Sequence, residues 1–135
     1  MNKEDLKKRT KKFALLVIKL TQSLPYNRES DVLAKQLVRS ATSVAANYRA
    51  ACRSRSQAEF ISKINICEEE ADESLFWLEM FVESGIISNE NLEHLLKEAD
   101  ELTAIFVASG RTAKFNKSNS SKPTIRNQES ELRNH

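Results

Sequence analysis

Apolar residues recur at three- and four-residue intervals through the first 110 positions, and that rhythm predicts four amphipathic helices. The first, over about 5–24, carries Leu6, Phe13, Leu16, Val17 and Leu20 on one face. Pro25 and the polar run Asn27–Ser30 end it. The second, over 31–53, is predicted to be capped by Ser30 or Asp31 and to bury Leu33, Leu37, Ala41, Val44, Tyr48 and Ala51. The third, over 56–84, opens on Ser56-Gln57-Ala58-Glu59, the Ser-x-x-Glu form of a capping box. Its stripe is Phe60, Ile64, Cys67, Ala71, Leu75, Leu78 and Val82, widened by Trp77, Met80 and Phe81. Gly85 is placed to adopt the left-handed conformation that closes it. The fourth, over 89–109, uses Leu92, Leu95, Leu96, Ala99, Leu102, Ile105 and Phe106 and ends near Gly110.

Connections this short make consecutive helices antiparallel neighbours. The predicted fold is therefore all-α, an antiparallel up-and-down four-helix bundle spanning 1–112 as one domain. Residues 113–135 change character: Ser, Asn, Lys and Arg dominate, with Pro123 and hardly an apolar side chain. Such a stretch cannot bury enough surface to offset its ordering entropy, so a disordered basic tail is predicted there. Two glycines and two prolines in 135 residues exclude a turn-rich β protein. No apolar run approaches the roughly 20 residues that span a bilayer. Lys19 interrupts the only stretch that resembles a signal peptide, so the chain is read as cytoplasmic. Cys52 and Cys67 fall beside apolar residues on adjacent helices. A disulfide is conceivable, but small buried thiols are the simpler reading.

Net charge is only +2, yet the charge is segregated. Residues 1–12 hold Lys3, Lys7, Lys8, Arg9, Lys11 and Lys12 against Glu4 and Asp5. Lys35, Arg39, Arg49, Arg53 and Arg55 follow on helix two and its turn, with Lys35, Arg39, Arg49 and Arg53 on one face. Helix three is acidic, with Glu68, Glu69, Glu70, Asp72, Glu73, Glu79 and Glu83 unopposed along its length, and helix four is mostly acidic too. A strip of Gln36, Ser40, Ser43 and Asn47 lies beside the core of helix two. It is predicted either to meet Glu70 and Glu73 in a buried polar network or to form a subunit interface. The charges have three readings: solvated faces that pair between helices, a phosphate-binding face, or a protein-only charge interface. Counterion release rewards clustered cations whatever the total charge, which makes Lys35, Arg39, Arg49, Arg53 and Arg55, together with the basic N-terminus, the candidate phosphate ligands. No aromatic residue interleaves with those arginines, so they do not indicate base stacking.

Catalysis has little to work with. His94 and His135 are the only histidines, and Asn91 occupies the position that a Glu-x-x-His metal motif would fill with Glu. Glu90 with His94, or the run Glu68–Glu70, reads as a solvated helix face. There is no glycine-rich phosphate loop, no nucleophile elbow and no paired Cys/His nucleophile. The sequence indicates no enzyme, metal or cofactor.

The block Gln36–Ala50, with Arg39-Ser40 and Ser43-Val44…Asn47-Tyr48-Arg49, resembles the signature of a bacterial family. So do Ser56…Glu59-Phe60-Ile61…Lys63-Ile64 and Glu70-Ala71-Asp72-Glu73-Ser74-Leu75-Phe76-Trp77-Leu78. The family is that of the four-helix-bundle proteins encoded in intervening sequences of 23S ribosomal RNA genes, in the same structural group as the accessory protein of diversity-generating retroelements. The resemblance covers about 5–112; one departure is Ala50, where relatives commonly carry Glu. It implies a homopentamer of bundles packed side by side and a basic surface that contacts RNA or DNA. The retroelement relatives imply an alternative, a scaffold or accessory subunit whose partner is another protein.

Overall fold

The computed structural model describes residues 1–121, with side chains through Asn119. Four helices, α1 (Lys3–Gln22), α2 (Arg28–Cys52), α3 (Gln57–Glu83) and α4 (Asn89–Ser121), form the bundle. Each packs on its chain neighbours and α4 closes back onto α1, while the diagonal pairs make no close backbone approach. That ring of neighbours is the up-and-down topology the short connections require. No helix among the described residues is long and apolar enough to cross a membrane.

The core follows the predicted stripes. Phe13 and Val17, Leu37, Ala41 and Val44, Ile64, Cys67, Ala71 and Leu78, and Leu92, Ala99, Leu102 and Phe106 are all buried. Phe81, expected only to widen the apolar face of α3, is fully buried, and Tyr48 and Phe106 pack ring to ring at 5.8 Å. Leu16, Leu20, Leu33, Phe60, Leu75 and Val82 pack at the margin, half-buried. Both cysteines are free thiols; burial pushes the Cys67 thiol up to about 12.

The helix ends differ in chemistry from the sequence reading. α1 starts on a capping box: Asn2 Oδ1 accepts from the Asp5 amide at 2.8 Å, and Asp5 Oδ2 accepts from the Asn2 amide at 3.2 Å. Asn27, rather than Ser30 or Asp31, caps α2, accepting from the Ser30 amide at 2.9 Å. Ser30 is thereby drawn inside the helix, where its buried hydroxyl has no hydrogen-bond partner among the described residues. At α3, Ser56 Oγ accepts from the Glu59 amide at 3.0 Å, but Glu59 reaches back to the amide of Arg55 at 2.8 Å instead of that of Ser56. Gly85 has φ 81°, as a left-handed closing residue should.

The largest correction is to α4. It runs through Gly110 to Ser121, so residues 113–121 are helical where a disordered tail was expected. Gly110 is buried inside the helix, and a Cβ there would lie 3.7 Å from Ile64 Cγ2 and 3.8 Å from Asn65 Oδ1. Those are ordinary contact distances, so Gly110 is an interior helical position and not a helix stop. The rest of the predicted tail lies outside the described residues.

Candidate nucleic-acid interface

The five cations predicted to form one face are divided by the structure into two groups. Arg39 leaves the face. Its guanidinium reaches across to α3, with Nη1 3.2 Å from Glu70 Oε2 and Nη2 in a short contact with Glu73 Oε2. Hydrogen bonds to Glu70 and Glu73 hold the Arg39 pKa above its ordinary value. Glu73 also accepts from the Trp77 indole N–H at 3.0 Å, and the two bonds hold its carboxyl below the usual range, Trp77 contributing most. Trp77 in turn meets Phe76 edge to face at 4.8 Å. Lys35 stays exposed and pairs with Asp31, one turn back on the same helix, at 3.2 Å.

The acidic stretch of α3 is thus not unopposed, because Arg39 answers Glu70 and Glu73. Arg9 does the same for α4. Its Nε donates to Glu98 Oε2 at 2.7 Å and its Nη2 to Glu98 Oε1 at 2.8 Å and Glu101 Oε1 at 2.7 Å. A bidentate fork of this kind fixes both partners. The hydrogen bonds to Glu98 hold the guanidinium's pKa above its ordinary value.

The expected polar strip is divided as well. Ser40 is fully buried, and its hydroxyl lies 2.9 Å from that of Ser74 on α3. Ser40 also reaches the Leu37 carbonyl at 3.2 Å, and Ser74 the Glu70 carbonyl at 2.9 Å. With one proton per hydroxyl, one serine bonds to its own helix while the other bridges the two helices. Asn47 turns back on α2, donating to the Ser43 carbonyl and hydroxyl at 2.9 Å each, and Gln36 is exposed. Glu70 Oε1 is buried without a hydrogen-bond partner among the described residues. The buried network therefore consists of Ser40 and Ser74 with the backbone. Gln36, Ser43 and Asn47 do not join Glu70 and Glu73.

Arg49, Arg53 and Arg55 remain, joined in the fold by lysines of the basic N-terminus that the sequence reading set beside them. They line an open groove of about 970 Å³ with Lys7, Lys8 and Lys11 of α1 and Lys63 of α3. Its floor includes Ala45, Ala46 and Ala50 of α2, whose short side chains recess the helix below the long cations around it. Two carboxylates also line it. Glu4 pairs with Lys7 at 2.8 Å, and Glu59 is committed to the α3 cap. Lys8, Lys11, Arg49, Arg53, Arg55 and Lys63 make no ion pair with any described residue. At Ala50 the floor is uncharged.

Among the described residues, no three His, Cys, Asp or Glu side chains are grouped to hold a metal ion. What the groove offers is a cluster of cations that pair with no carboxylate among the described residues, the clustering that counterion release rewards.

Fold and surface together define a helical bundle with one cationic groove. Residues 2–108 match the family described as 23S rRNA-intervening sequence protein, and the chain belongs to that family. It is similar to a crystal structure of a protein of unknown function from the S23 ribosomal protein family of Bacteroides thetaiotaomicron. The two are 31% identical with a TM-score of 0.76, over 82% of this chain and 99% of that one. Curated proteins give no match.

Proposed function

We propose that this chain is a non-enzymatic, cytoplasmic, homo-oligomeric bundle that binds the phosphate backbone of RNA or DNA through the groove formed by α1, α2 and the start of α3. One observation carries the reading. Six cations with no ion pair to any described residue surround an alanine floor, whereas Arg9 and Arg39 elsewhere in the bundle are answered by carboxylates. Bringing a polyanion to such a groove releases its condensed counterions without first breaking internal salt bridges. Lysines and arginines position phosphates and read no base, so the binding is strong in low salt and indifferent to sequence. The resemblance to pentameric bundles supports self-assembly, which would repeat the groove and multiply a weak contact.

The test is anisotropy of labelled structured RNA and duplex DNA across a salt series, with particle mass from light scattering. Affinity that falls about a hundredfold between 50 and 200 mM salt, in an oligomer, is the expected result. A folded oligomer that binds neither nucleic acid at low salt contradicts the reading. It would favour the alternative of a protein-interaction scaffold, for which the exposed Val32 and Phe76 offer apolar contact.

A further inference from the structure

α4 outruns both its family and its bundle. The family match ends at residue 108, and the similar crystal structure is covered to 99% of its length by 82% of this chain, yet the helix continues to Ser121. Ala113 is the last buried residue: it is 5% exposed, and its carbonyl accepts from Gln57 Nε2 at 3.2 Å. Lys114, Phe115, Asn116, Lys117 and Ser118 are then all exposed. Five consecutive helical positions turn through more than a full circle, so this segment has no buried face, although Asn116 borders the bundle. A helix without a buried face gains nothing from packing, and here it is propagated from the packed turns before it.

Its chemistry has a single sign. Between Glu101 and Glu129 there is no acidic residue, and Arg111, Lys114, Lys117, Lys122 and Arg126 are all cationic. Arg111 and Lys114 have no ion pair with any described residue. Among them stands Phe115, 65% exposed, an aromatic ring of the kind absent from the groove itself. The extension is also next to that groove. Asn116 lines a second hollow with Met1, Lys3 and Arg55, and Arg55 lines the cationic groove as well.

Building on the phosphate-binding reading of the groove, we infer that the α4 extension is a second contact element for single-stranded nucleic acid: Phe115 stacks on a base while Arg111 and Lys114 hold the adjoining phosphates. Phe115, 65% exposed, presents ring surface on which an unpaired base can stack. A duplex keeps its bases stacked on one another and offers Phe115 nothing. The bundle thus binds a strand at a junction, with paired phosphates in the groove and the unpaired continuation on the extension.

The test measures binding of the full chain and its point variants to an unstructured polyuridine oligonucleotide and to an RNA duplex. Phe115 is exposed, so its substitution leaves folding intact. Phe115→Ala is expected to weaken oligonucleotide binding about tenfold while duplex binding is unchanged. Phe115→Tyr should restore the oligonucleotide affinity, since only an aromatic face is needed. Phe115→Trp should bind and show emission quenching on the oligonucleotide beyond that of Trp77 in the parent chain. The inference is overturned if Phe115→Ala changes neither ligand, if it weakens both equally, if Tyr behaves as Ala, or if the parent chain does not bind the oligonucleotide. Arg49→Glu with Arg53→Glu separates the two claims. Unchanged duplex binding in that variant removes the groove reading, while the Phe115 result stands or falls separately.

Discussion

Two clusters of cations lie on α2 within a few turns of each other and have opposite fates. Arg39 is bound by Glu70 and Glu73, which are ordered in turn by Trp77 and the buried Ser40–Ser74 bridge. Arg49 and Arg53 face Lys7, Lys8, Lys11 and Lys63 across alanines and make no ion pair with any described residue. The residue types are the same; what differs is the neighbour each helix presents. A charge with a fixed partner holds two helices in register, and a charge without one is available to an outside ligand. The first kind contributes to stability, and the second should be nearly neutral for stability but decisive for binding.

The contrast breaks most visibly under charge reversal. Arg39→Glu would set three carboxylates together around the buried Glu70 Oε1 and is expected to destabilise the bundle by about 3 kcal/mol, read from the urea midpoint. Arg53→Glu should leave that midpoint within about 0.5 kcal/mol. If both cost the same, the division between paired and unpaired cations is wrong. Truncation is milder. Arg39→Ala leaves carboxylates unanswered, but the guanidinium is half exposed and solvent screens the loss, so about 1 kcal/mol is expected.

Acid titration sharpens the same contrast. Hydrogen bonds from Trp77 and Arg39 depress the folded-state pKa of Glu73 below its unfolded value. The resulting stability is full above the unfolded carboxylate pKa, about 4.3, and is lost as pH falls through the depressed folded value. Unfolding midpoints between neutral pH and pH 3 should therefore drop along an acid limb that Arg39→Ala flattens. Arg49→Ala should leave that limb intact. The buried bridge should give an effect comparable to that of Arg39→Ala. Ser74→Ala leaves Ser40 bonded to the Leu37 carbonyl and should cost about 1 kcal/mol in the same assay.

The helices were legible because burial imposes the three-and-four rhythm directly on residue choice: Leu37, Ala41, Val44 and Tyr48 have no other reason for their spacing. Where α4 ends was not legible. Glycine often signals a helix stop, but Gly110 lies buried within α4, where a Cβ would meet Ile64 only at ordinary contact distance. The candidate site was half legible. Arg49, Arg53 and Arg55 belong to the groove, but Arg39 and Lys35 were grouped with them because a helical wheel shows which face a residue is on and not what stands opposite. The links Arg39–Glu70 and Arg9–Glu98 join residues 31 and 89 positions apart, so they depend on how the helices slide against one another. The basic N-terminus was read as acting with the α2 face, but which of its lysines reach the groove, and that Lys63 joins them, was hidden by the same limit. Each was visible as a cation, while their convergence on the alanines of α2 is a property of the packing.

The central claim is that nucleic acid binds the unanswered cations and ignores the answered one. The most direct measurement is the salt dependence of duplex binding for the parent chain, for Arg49→Gln/Arg53→Gln/Lys63→Gln, and for Arg39→Gln. The triple variant is expected to flatten the log–log slope by about 2 to 3, roughly one per phosphate contact removed, while Arg39→Gln leaves the slope unchanged. Equal slopes in all three proteins, or a flattening produced by Arg39→Gln alone, would contradict the account.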